Sequence, residues 1–96
     1  MIPLEIQVQE QTREFLGHHG ITPYSVVFVS SAIPKSMPVL RITFWVPGEL
    51  QEFKDIVDWS HLVDRSGYAE FPETRTVILS SLVLASFFRQ LQEEGG

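Results

Sequence analysis

Two apolar runs restrict this chain more than anything else in it: Tyr24-Ser25-Val26-Val27-Phe28-Val29 and Val39-Leu40-Arg41-Ile42-Thr43-Phe44-Trp45-Val46. Both are dominated by β-branched and aromatic residues, which strand positions favour. Residues two apart share a strand face. In the second run Leu40, Ile42, Phe44 and Val46 form an unbroken apolar face, while Val39, Arg41, Thr43 and Trp45 form a mixed one. That alternation belongs to a half-buried strand. In the first run Tyr24, Val26 and Phe28 line one face and Val27 and Val29 the other. Apolar residues on both sides predict a strand that is central in its sheet or covered on both faces. The connection Ser30 to Pro38 holds two prolines, Pro34 and Pro38. They supply no amide donor, so this loop is expected at a sheet end. Pro23 to Pro47 is therefore read as a β-hairpin.

The rest of the chain arranges itself around that hairpin. Leu4, Val8, Thr12, Phe15 and Leu16 fit a helical stripe filled out by Gln, Glu and Arg, which predicts a helix from about Glu5 to Leu16. Gly17 and Gly20 supply its stop. A short strand leading into a shorter helix is the fallback, because Ile2, Leu4, Ile6 and Val8 also alternate. After the hairpin, Pro47-Gly48 is a breaker. Leu50, Phe53, Ile56 and Val57 then repeat at helical spacing, with Glu49 and Glu52 suited to a first turn. This helix is expected over Glu49 to Trp59, extending weakly to Val63. Asp64 to Gly67 reads as a turn. Tyr68 to Phe71 and Arg75 to Leu79, joined by Pro72-Glu73-Thr74, read as a second hairpin. Ser80 or Ser81 is a ready N-cap for a helix with Leu84, Phe87, Phe88 and Leu91 on one face. The order is α-β-β-α-β-β-α. One α+β domain over residues 1–96 follows: a two-layer sandwich whose mostly antiparallel sheet of about four strands carries helices on one face. The Leu40/Ile42/Phe44/Val46 face and the last helix's stripe would form the core.

The totals narrow the function classes. A chain of 96 residues buries roughly 60–65% of its unfolded surface, enough for one core. With no cysteine, disulfides, thiolate metal sites and cysteine nucleophiles are excluded. A reducing compartment, the cytoplasm, fits this. The net charge is −5, and the seven Lys and Arg are scattered. Nucleic acids and anionic membranes select basic stripes, so neither is the expected partner. Met1 to Glu5 lacks a basic n-region. The longest nearly apolar run, Val77 to Phe88, falls short of the roughly 20 residues a transmembrane helix needs.

Candidate chemistry is sparse. Asp58, His61 and Asp64 are three apart, and with His18 and His19 they would make a His/Asp metal or acid–base site. Solvated residues at a helix end and a glycine-flanked loop explain the same pattern more simply. Ser80-Ser81 stands at a strand-to-helix junction, but the G-x-S-x-G elbow is absent, and helix capping accounts for both serines. No phosphate-binding glycine loop occurs. No cofactor is expected.

The stronger candidate is a surface. If helices cover one sheet face, the other presents Val27, Val29, Val39, Arg41, Thr43 and Trp45, the residue types found at interface centres. In the last helix, Leu82, Val83, Leu84, Ala85, Phe87, Phe88 and Leu91 span a wider arc than a surface helix needs. It would be engulfed by its own fold or pack on another chain, with a homodimer as the default. The expectation is a small acidic, non-enzymatic interaction or regulatory module that acts as a binder, an inhibitor or an assembly subunit. Its partner would be a protein or a second copy. Arg41 would pair with a partner carboxylate, and the acidic surface would steer a basic partner. The alternative is a small hydrolase or metal-dependent enzyme built on His18, His19 and His61 with Asp58 or Asp64.

Overall fold

The computed structural model describes residues 3–29, 39–57 and 67–95. Among them the chain forms α1 (Leu4–His18), β1 (Ser25–Val29), β2 (Val39–Thr43), α2 (Pro47–Ile56), β3 (Tyr68–Phe71), β4 (Thr76–Ser80) and α3 (Ser81–Gly95). The four strands make one sheet in the order β1-β2-β4-β3, antiparallel throughout. Both hairpins are present, and they join through β2 and β4. The α-β-β-α-β-β-α order and the two-layer α+β architecture stand as expected.

One layer boundary holds the core. Val26 pairs with Ile42 and Ile42 with Val77, while Leu40 pairs with Leu79. These five side chains are buried on one sheet face. Phe44 continues that face past the end of β2 and is fully enclosed. The helices meet there through their aromatics. Phe87 of α3 lies edge-on to Phe15 of α1 at 5.8 Å and to Phe53 of α2 at 5.9 Å. Phe53 in turn lies 5.6 Å from Phe44. Within α3 the deepest residues are Val83, Phe87 and Leu91, one turn apart, with Leu84 and Phe88 packed beside them. The wide arc is thus partly used inside the fold, whereas Ala85 is exposed.

The helix ends differ from expectation, each for a local reason. α1 begins one residue early and runs past Gly17 to His18. Its stop is Gly20, at φ +79°. The Gly20 N–H donates to Gly17 O, and the Ile21 N–H donates to Leu16 O at 2.8 Å. This double bond closes the helix, and the left-handed residue it demands favours glycine. Ile21 is then buried against the core. Leu4 and Ile6, by contrast, are exposed, because only the Val8/Thr12/Phe15/Leu16 line faces the sheet.

α2 starts at Pro47, not Glu49, with proline at the first helical position where its missing N–H is harmless. Glu49 does more than suit the helix dipole. Its Oε1 accepts the N–H groups of Trp45 at 3.0 Å and Val46 at 3.3 Å, and its own N–H donates to Val46 O. This turn ends β2 early. Val46, expected in the core, is therefore exposed. At the other end Val57 is extended and buried, so the helix stops before Trp59. Residues 58–66, with the weak extension and the Asp64 turn, lie outside the described residues, as does the Ser30 to Pro38 connection.

β1 is an edge strand, not a central one. Gln9 of α1 shields that edge, its Oε1 accepting the Phe28 N–H at 2.9 Å. One of the edge's outward donors is thus answered by a side chain of the same chain. Tyr24 precedes β1 and is exposed instead of facing the core. At the second hairpin a 3₁₀ turn, Pro72–Thr74, leads to Arg75 in the left-handed region (φ 54°, ψ 42°). Three bonds hold it there. Arg75 N–H donates to Pro72 O, Phe44 N–H donates to Arg75 O, and Arg75 Nε donates to Phe44 O at 3.1 Å. β4 consequently begins at Thr76.

Candidate interaction face of the sheet

The antiparallel registers assemble the second sheet face from all four strands. Side chains directly opposite one another share a face. Val29 lies opposite Val39, and Val39 opposite Ser80. The next rung is Val27, Arg41, Ile78 and Ala69, and the next is Ser25, Thr43, Thr76 and Phe71. Among the described residues no helix lies on this face. The buried aromatics and aliphatics of α1, α2 and α3 join the single cluster on the other one.

The three rungs differ in chemistry. The first is aliphatic, ending at Ser80, whose hydroxyl is turned to Gly67 O at 3.1 Å. The third is hydroxyl-rich. Thr76 Oγ1 donates to Thr74 O, and the Thr43 and Thr76 hydroxyl oxygens lie 3.2 Å apart. Since the Thr76 proton is engaged, Thr43 is the donor in that pair. Phe71 ends this rung at 48% exposure. The middle rung sets Arg41, exposed, between Val27 and Ile78. Arg41 is the only charged residue on the three rungs. The ion pair between Lys54 and Glu70 (3.1 Å) lies on the opposite side, Glu70 facing with Val77.

Five of the six expected surface residues, Val27, Val29, Val39, Arg41 and Thr43, thus stand together on this face. Trp45 lies past the end of β2. Its ring meets Tyr24 edge-on at 4.6 Å and 84°, both rings more than half exposed. Ile78, Ala69 and Phe71 were not singled out from sequence. Alternation puts Ala69 and Phe71 on one face of β3, and the register sets Ile78 opposite Ala69 on that same face.

Of the histidine and carboxylate constellation only His18 and His19 fall among the described residues. His18 is exposed at the end of α1, and the His19 ring packs 5.0 Å from Phe15. Asp58, His61 and Asp64 lie outside the described residues. Among the described residues no group of three metal-ligating side chains occurs. Ser80 closes β4 and stands immediately before α3, its hydroxyl donating to Gly67 O; the Ser81 side chain is outside the described residues. Among the described residues the one displaced titration is that of Tyr68. Burial, with a smaller contribution from Glu70, pushes its hydroxyl up to about 12. Among the described residues no helix is long and apolar enough to cross a membrane. Compared with known protein families, curated proteins and solved structures, the chain gives no match.

Proposed function

We propose that this chain is a non-enzymatic interaction module that docks another protein on the open face of its sheet. The observation that carries this reading is the middle rung: one exposed guanidinium set among Val27, Ile78 and Ala69, with aliphatic and hydroxyl rungs on either side. Such a mixture, apolar area around one Arg anchor, is what interface centres are made of. The edge next to it is shielded by Gln9, which favours face docking over strand addition at β1. The C-terminal helix contributes from behind, fixing the sheet's shape through Val83, Phe87 and Leu91.

The test is affinity capture from the native cell extract with the wild type, Val27→Asp, Arg41→Glu and Ala85→Asp as baits, each checked by thermal melting. The expected result is a protein retained by the wild type and by Ala85→Asp and lost from both face variants while they remain folded. A partner that ignores both face variants would sink this reading.

A further inference from the structure

Building on that docking face, we infer that its partner is an apolar helix carrying one carboxylate within its apolar stripe, and is not a second copy of this chain. The argument starts from what Arg41 lacks. The described rungs hold no Asp or Glu, and the described acidic residues sit elsewhere: Glu5, Glu10 and Glu14 on α1, Glu49, Glu52 and Asp55 on α2, Glu93 and Glu94 on α3, Glu70 on the opposite face and Glu73 in the turn. A docked element that covers the middle rung removes water from the guanidinium. A buried charge left unpaired is costly, whereas a bidentate carboxylate satisfies it. The partner must therefore bring the anion.

Self-pairing brings the wrong sign. A two-fold contact places the same patch against itself. Arg41 lies on an inner strand in the middle rung. Pairing centred on this face sets two guanidinium groups toward each other with no carboxylate between them, and like charges across an interface select against that partner. The chain's net charge of −5 points toward a basic partner at long range. The contact chemistry at the face is the reverse, and long-range charge governs encounter while the local pair fixes orientation.

The shape argues for a helix. The other side of this same sheet already accepts helical stripes spaced one turn apart, Val83, Phe87 and Leu91. The open face offers comparable aliphatic rungs, with Arg41 where a stripe would pass. The occupant is an amphipathic helix whose central stripe residue is Glu or Asp.

Methyl-labelled protein would be titrated with two synthetic helical peptides of about 18 residues, five turns, that share one Leu/Ala stripe. One carries a central Glu in the stripe, the other a central Lys. The Glu peptide should shift the methyl signals of Val27, Val39 and Ile78 but not those of buried Val83. The Lys peptide should bind about tenfold or more weakly, the size of a charge-assisted hydrogen bond. Arg41→Glu should invert the order, and Arg41→Gln should erase it. Equal binding of both peptides at these methyls overturns the carboxylate inference and leaves the docking face standing. Neither peptide shifting them overturns both. A dimer seen by light scattering that Val27→Asp dissociates makes the second copy the occupant and overturns this proposal alone.

Discussion

The two faces of one sheet use nearly the same residues to opposite ends. On the covered face Val26, Leu40, Ile42, Val77 and Leu79 are all buried. On the open face Val27, Val39 and Ile78 are half-buried, and Val29 is 39% exposed. Position in the register, not hydrophobicity, separates them. A one-residue slip would exchange the faces entirely. What fixes the register is the one substitution pattern that is not symmetric: Arg41 interrupts the open face of β2, while Leu40, Ile42 and Phe44 leave the other unbroken. Turned inward, Arg41 would be buried among the core aromatics, and desolvating a guanidinium there is costly.

That difference should be measurable. Phe87→Ala removes the ring that joins α1 to α2 and should cost about 3–5 kcal/mol. Ile78→Ala removes a comparable aliphatic side chain from the open face and should cost about 1 kcal/mol, since part of its surface stays wet. Denaturant midpoints at constant slope would compare them. Equal losses would mean that the open face is sealed within the monomer, which breaks the comparison.

A second test strikes the seam common to both faces. A Cβ on Gly67 would collide with the Ser80 carbonyl oxygen, and Ser80 returns its N–H to Gly67 O at 2.8 Å. Gly67→Ala must part β3 from β4 at that end, an overpacking loss of about 1–3 kcal/mol. It should accelerate amide exchange in Tyr68 to Phe71 more than in β1. Uniform acceleration across the sheet would show that β3 does not depend on this contact.

Much of the architecture was legible because it rests on period. Alternation alone places Leu40, Ile42 and Phe44 inward, and one-turn spacing places Phe87 and Leu91 against them. What misled were residues whose fate a distant side chain decides. Apolar residues on both sides of β1 read as a central or doubly covered strand, yet β1 is an edge that Gln9, nineteen positions earlier, meets at the Phe28 N–H. Val46 continued an inward alternation until the Glu49 carboxylate captured two backbone N–H groups and bent the chain away. The open face was half legible. Its β2 members could be named from parity, but Ile78, Ala69 and Phe71 join only through the β2–β4 pairing, a long-range contact that no local pattern announces.

The smallest effect concerns the rim of the covered face. Tyr68 lies opposite Leu79 at the outer strand, and burial, aided by Glu70, raises its hydroxyl to about 12. An unfolded tyrosine loses its proton near pH 10. Between pH 10 and 12 the unfolded chain therefore binds fewer protons than the folded one, and stability falls as pH rises. The contribution is complete below pH 10 and lost as the pH passes through 12. Because the side chain is only half-buried, water screens much of the penalty, and the slope should be shallow. Urea midpoints at intervals from pH 8 to 12, for wild type and Tyr68→Phe, isolate it. The wild type should lose stability relative to Tyr68→Phe only above pH 10. Parallel curves would mean that the rim is as wet as the open face, and the contrast between the two faces would then end at β4 instead of reaching the sheet's edge.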